Sequence, residues 1–178
     1  MATSSLVAEL ERLASTLEAD ASHATEISLA TVGEKIAKNL GVNADEVAIL
    51  GVSHRWKHLH FLVPEALKNV GFIPLTSNSA LAARTVREKR AEINNNFTTA
   101  RHASVFEGVK SATITGESIQ KIISAPIFHE GKVVGVMQVS HKGSSPQTAG
   151  ADFTADELGR VVALCQPLGK LVQYLSGE

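Results

Sequence analysis

The stretch QKIISAPIF, HEG, KVVGVMQVS, residues 120–140, decides the fold. Two apolar runs flank His129-Glu130-Gly131. Gly131 tolerates the positive φ of a tight turn, so the runs pair as an antiparallel hairpin. On the second run Val134, Val136 and Gln138 point one way, and Val133, Gly135, Met137 and Val139 point the other. Both sets are apolar enough for burial, which makes this a central strand and not an edge. Gly135 has no side chain to pack, and in a strand that marks a bulge or a close neighbour: helix, backbone or ligand.

Downstream, a polar loop from Ser144-Ser145-Pro146 to Asp152 leads to Thr154 and Glu157, spaced three apart as in a capping box. Leu158, Val161, Val162, Cys165, Leu168, Val172 and Leu175 then recur at helical spacing. Pro167 removes the bond to the Ala163 carbonyl and predicts a bend in that helix. Upstream, Leu6, Leu10, Leu13 and Leu17 recur at four and three residues behind a capping Ser4 or Ser5. A stripe of four leucines needs a partner. It packs on its own sheet or, the reading preferred here, on the terminal helices of a second subunit. A second helix carries Ile27, Leu29, Val32, Ile36 and Leu40 and ends at Gly41 as C-cap; residues 20–25 break the two helices or join them into one rod.

The middle is mixed. EVAILGVS (46–53) and WKHLHFLV (56–63) form a second hairpin across Ser53-His54-Arg55, with Pro64 ending its second strand. Ser79 caps a helix over residues 80–90, and residues 91–96 form a short strand. His58 and His60 share a strand face with Trp56 beside them. Two imidazoles could begin a metal site, but the stretch supplies no third ligand, and no Cys pair or HExxH segment occurs.

Taken together, Ala125-Pro126-Ile127, the Glu130-Gly131-Lys132 turn, Val133-Val134-Gly135-Val136-Met137, His141-Lys142 and Phe153-Thr154-Ala155-Asp156-Glu157 resemble a GAF domain over residues 22–175, most strongly after residue 80. The resemblance implies an α/β (α+β) fold: a central antiparallel sheet with helices packed on it and the N- and C-terminal helices adjacent. It divides the chain into a dimerising helix, residues 1–21, and a GAF-like domain, residues 22–178. It also implies a small-molecule cleft on one sheet face, walled by residues 64–118. Cyclic-nucleotide-binding members carry Asn-Lys, then Phe, three residues and Asp-Glu. Here His141-Lys142 replaces Asn-Lys, and only Thr154-Ala155 separate Phe153 from Asp156-Glu157, which leaves the ligand class open. Lys142 reads first as the partner of an acid near the helix start.

A chain of 178 residues buries about 70% of its unfolded surface and needs no metal or disulfide. Seventeen basic and eighteen acidic residues are mixed along it, so no concentrated basic face exists for nucleic acid. The single cysteine, Cys165, excludes an internal disulfide and points to a reducing compartment. With no leader and no long apolar run, the expectation is a cytoplasmic protein that does not enter a membrane.

No activated nucleophile, GxSxG elbow or phosphate loop is present, so the reading is non-enzymatic. Relatives that reduce oxidised methionine use several cysteines, and Cys165 alone cannot supply them. A bilin thioether in the cleft or a haem held by histidine has no pattern to support it, and no cofactor is assigned. The expected ligand wall, residues 94–110, mixes polar groups with Phe97, Val105 and Phe106. Asn95, Arg101, His102 and Phe106 are its candidate contacts, Arg101 for an anionic group and Phe106 for apolar area. The expected function is a homodimeric sensory domain that binds a small molecule and signals through its terminal helices. The competing readings are a dimerisation or docking module without ligand and, behind it, a haem or metal sensor or a redox enzyme.

Overall fold

The central hairpin closes through two residues in the left-handed region, Glu130 at φ 52° and Gly131 at φ 80°, with His129 paired to Lys132. Positive φ at both central positions has the twist that antiparallel strands prefer. The computed structural model describes residues 3–20, 22, 27–69, 71–97 and 118–175. Its elements are α1 (Thr3–Ala19), α2 (Leu29–Leu40), β1 (Val47–Ser53), β2 (His58–Val63), β3 (Phe72–Pro74), α3 (Leu81–Glu88), β4 (Glu92–Asn94), β5 (Ser118–His129), β6 (Lys132–Gly143) and α4 (Ala155–Leu175). The strands form one antiparallel sheet in the order β3-β2-β1-β6-β5-β4, so β6 is central, as its apolar faces require. This is the α/β architecture expected from the sequence.

The alternation along β6 breaks once. Phe128 pairs with Val133 but Ile127 pairs with Gly135, which leaves Val134 as the extra residue of a bulge. Val134 therefore joins the core beneath the helices, and Val133 joins the opposite one, the reverse of strict alternation. A Cβ on Gly135 would sit 2.5 Å from the Leu50 carbonyl and 3.4 Å from Val172. Its close neighbours are β1 backbone and α4, so the glycine is explained by packing.

One sheet face is covered by α2 and α4, with α1 laid against both; Val47, Ile49, Ile123, Ile127, Met137 and Val139 pack there with Ile36, Leu164 and Leu168. Ser28 caps α2 by accepting from Thr31 N, and Gly41 at φ 73° closes it, Val42 N donating to Ala37 O. The Thr154–Glu157 capping box opens α4 in both directions, at 3.0 and 3.2 Å. The helix then runs through the buried Pro167 to Leu175.

The leucine stripe of α1 finds its partner inside the chain. Leu6, Leu10, Ala14 and Leu17 are buried against the same core as α4 and α2, whereas Leu13 is only half-buried. Polar clasps hold both ends: Arg160 donates to Thr3 Oγ1 and Asn39 O at 2.7 Å, and Lys170 meets Glu18. Within the chain the stripe thus covers the neighbouring helices α2 and α4. Ser4 and Ser5 lie within the helix, which already begins at Thr3.

Two local expectations shift. The β1–β2 connection takes residues 54–57, with Lys57 at φ 56°, so Trp56 sits in the turn, exposed, with the Arg55 guanidinium over its ring. Ser77, not Ser79, accepts the Ala80 N–H ahead of α3.

Candidate functional site

The sheet face opposite α1, α2 and α4 carries the candidate site. Leu50, Val52, Leu59, Phe61, Val133 and Val136 pave its β1–β2 half beneath Ala80, Ala82 and Ala83. Toward β5 the floor turns polar. Ser124 and Gln138 face each other in register across β5 and β6, both buried.

Their protons can be placed. Thr85 Oγ1, on α3, donates to Leu81 O at 3.0 Å, which commits its single hydrogen. It therefore accepts from Ser124 Oγ at 2.7 Å, and Ser124 accepts from Gln138 Nε2 at 3.3 Å. The chain of donors pins α3 to the sheet. Among the described residues neither hydroxyl is bonded to an imidazole or carboxylate, so neither has a base to activate it as a nucleophile.

Near the start of β5 a second bulge leaves Gln120 unpaired with the neighbouring strand, and its side chain is buried. Its Nε2 donates to Gly143 O at 2.8 Å, and its buried Oε1 has no hydrogen-bond partner among the described residues. Buried acceptors are nearly always satisfied, so this oxygen is suited to a donor from a ligand, a water or the adjoining chain. Phe97, Ile119, Ile122 and Leu81 form a small apolar cluster beside it.

Of the four expected contacts, Asn95 is described. Its Oδ1 accepts from Phe153 N at 2.8 Å and its Nδ2 donates to Phe153 O at 3.2 Å. Asn95 thus joins the end of β4 to the entry of α4 as a strand neighbour would. Arg101, His102 and Phe106 lie outside the described residues, so the wall they were assigned to, residues 94–110, is described only as far as residue 97.

The motif residues around the last loop hold the frame together. The His141 ring stacks on Phe153 at 4.1 Å between centroids, and its Nδ1 donates to Ala151 O at 3.0 Å. Lys121, buried, donates to Gly150 O and pairs with Asp152 at 2.9 Å. Lys142 donates to Asp45 O and has the Asp45 carboxylate at 3.7 Å, while Glu46 accepts the Lys142 N–H at 2.7 Å. The acid that Lys142 meets is therefore the one ahead of β1; Lys121 is the lysine that meets an acid near the start of α4.

Cys165 is buried in α4, and burial pushes its thiol up to about 12. His58 stacks on the exposed Phe72 at 4.1 Å, with His60 edge-on to it. Ser124, Gln138, Thr85 and Gln120 were not singled out from the sequence. The available signal was a polar residue breaking each apolar run of the hairpin, but the bulge at Val134 decides which of them stand opposite each other.

A GAF domain family model matches residues 24–171. No curated protein matches the chain by sequence. Among solved structures, the GAF domain of an Acinetobacter phosphoenolpyruvate-protein phosphotransferase superposes with a TM-score of 0.63 at 18% identity, covering 94% of this chain and 92% of that one. Free methionine-R-sulfoxide reductase from Neisseria meningitidis gives 0.61 at 14%, covering 98% and 90%. The GAF-B domain of DevS from Mycobacterium smegmatis gives 0.53 at 15%, covering 82% and 90%. At these identities the structural likeness is one of fold.

Proposed function

This chain belongs to the GAF domain family, and from that premise we propose that it is a non-catalytic sensory or regulatory domain. It binds a small molecule between the polar sheet face of Gln120, Ser124 and Gln138 and the segment 94–110, with Arg101, His102 and Phe106 as contacts from that segment and Asn95 at its root. The observation that carries the reading is the sidedness of the sheet. Three helices cover one face with an apolar core, whereas on the other the described cover is one short helix over a floor that is apolar along β1 and β2 and turns to buried amide and hydroxyl groups toward β5. A cleft that combines apolar walls with a few convergent polar groups is the usual form of a small-molecule site.

The non-enzymatic part rests on reactivity. The nucleophile of thiol chemistry is the thiolate, and the one cysteine of this chain is buried and neutral far above physiological pH. Reductases share the fold, but a lone buried thiol cannot close an internal disulfide.

Signalling would pass through the terminal helices, since α1 and α4 are clasped to each other and α4 lies directly on β5 and β6. A ligand shifts that packing only if it binds two states unequally. The family match begins after α1, which supports treating residues 1–21 as an added element on a domain of residues 22–178. A homodimer through the terminal helices would use surface that the intrachain packing of the leucine stripe leaves free, such as the half-buried Leu13 and the exposed Tyr174. We place the chain in the cytoplasm on its single free cysteine; among the described residues no helix is long and apolar enough to cross a membrane.

The test is amide shift mapping with hits from a metabolite panel. Shifts at residues 94–97, 118–124 and 138–140 are expected. Shifts confined to α1, α4 or the helix-covered face would overturn the site.

A further inference from the structure

β4 pairs with residues 122–124 of β5 and then stops. Carried two residues further, the ladder would set Arg90 opposite Pro126, which has no N–H to donate. The chain before β4 instead turns away, and the end of β5 is left with an open flank. Between that flank, the turn after α3 and the outer side of α4 lies a cavity of about 420 Å³, lined by Lys89, Arg90, Pro126, Phe128, Val162 and Cys165 among others. Its volume falls in the range of about 300–1,000 Å³ in which small-molecule sites are found.

The lining is divided by chemistry. Phe128 and Val162 are 41% and 40% exposed, two of the few large apolar side chains that the described surface leaves uncovered. Pro126 adds a third apolar wall. Cys165, with its thiol pushed up to about 12, is neutral there and counts as apolar. The rim is cationic. Of the nearby acids, Glu92 is engaged by Arg84 at 2.8 Å, and Glu88 is shared by Arg84 at 3.9 Å and the rim's own Arg90 at 2.8 Å, so three cations face two carboxylates. Lys89 makes no ion pair among the described residues, and it projects from a left-handed residue, φ 56°, that ends α3.

We propose that this groove is a second binding site, separate from the cleft on the sheet face, for a small amphipathic monoanion: an apolar body lying on Pro126, Phe128 and Val162, and one carboxylate held by Lys89 and Arg90. Arg90 reaches the carboxylate while keeping Glu88, since a guanidinium has five donors. A neutral apolar molecule would leave the cations unused, and with Arg90 already paired to Glu88 the rim has about one positive charge to spare, which matches a single carboxylate. The site touches α4, so an occupant bears on the helix through which the domain would signal.

The experiment titrates the full chain with sodium octanoate, following amide shifts and heat. Saturable shifts are expected at Lys89, Ala91, Phe128, Val162 and Gln166, with a dissociation constant below about 1 mM. The neutral probe 1-octanol should bind at least about tenfold more weakly, because it offers the two cations no charge. The double variant Lys89→Glu, Arg90→Glu changes exposed side chains and should weaken octanoate by at least about tenfold. Val162→Trp, which fills the groove and leaves both charges, should abolish the shifts and decides the matter if the charge variant does not fold. Equal affinity for octanoate and octanol, unchanged binding to the charge variant, or shifts lying elsewhere would overturn the proposal. Because these residues stand apart from Gln120, Ser124 and Gln138, the result is independent of the cleft on the sheet face.

Discussion

Cys165 shows how position overrides residue type. A thiol is a redox centre only as an accessible thiolate, and in α4 it is packed among Val161, Leu164 and Leu168. Labelling of the native protein with a disulfide reagent should therefore be slow, because the thiol, although it borders the groove, is neutral and almost wholly buried, and labelling as fast as in denaturant would contradict this. The pH consequence has a definite sign. The folded pKa, about 12, lies above the ordinary value of 9.0, so the unfolded chain loses its proton first as pH rises. The contribution is complete below about pH 9 and is lost as the pH climbs toward 12. Cys165→Ala should flatten that alkaline fall while costing about 1 kcal/mol in packing at neutral pH. Denaturant midpoints of both proteins at pH 7 and pH 10 check it; parallel curves would contradict it.

At the scale of elements, what could be read in advance was what local chemistry dictates. The Gly41 cap, the Thr154–Glu157 box and the β5–β6 hairpin each depend on residues within four positions of one another. Trp56 lies in the turn although an aromatic next to a β-rich run reads as strand, because the turn needs four residues to bring Ser53 opposite His58. Gly135 signals a bulge or a close neighbour and has both, but that Val134 is the extra residue, and with it the Ser124–Gln138 pair, is set by the partner strand and was not legible. Nor could the sequence say what covers the leucines of α1: a stripe encodes the need for a partner but not which one. The candidate contacts of residues 101–106 rest on composition and family resemblance alone. Turn chemistry yields a prediction. Glu130 holds a positive φ that suits Asn or Gly better, and its side chain is exposed. Glu130→Asn should raise stability by about 0.5–1 kcal/mol; an unchanged or lowered thermal midpoint would contradict the turn described here.

At the scale of the molecule, the clasp of α1 onto α2 and α4 joins the chain's two ends. Deleting residues 1–19 removes Leu6, Leu10 and Leu17 from the core and uncovers the apolar surface of α4 they pack on. Three buried leucines correspond to on the order of 5 kcal/mol, so the truncated chain should melt at much lower denaturant whatever its oligomeric state. A truncated chain as stable as the whole would show that α1 is not part of the folded unit. The function proposed for the molecule depends on its other face, where the ligand would lie against buried amide and hydroxyl groups. Native mass spectrometry of protein purified from its natural host puts that to the test with no guess about ligand chemistry. The expected spectrum shows the polypeptide carrying one small non-covalent mass, shed on mild activation and absent from a Gln138→Leu variant prepared the same way. The bare polypeptide mass at the gentlest activation, or a mass retained undiminished by that variant, would contradict a ligand bound on this face.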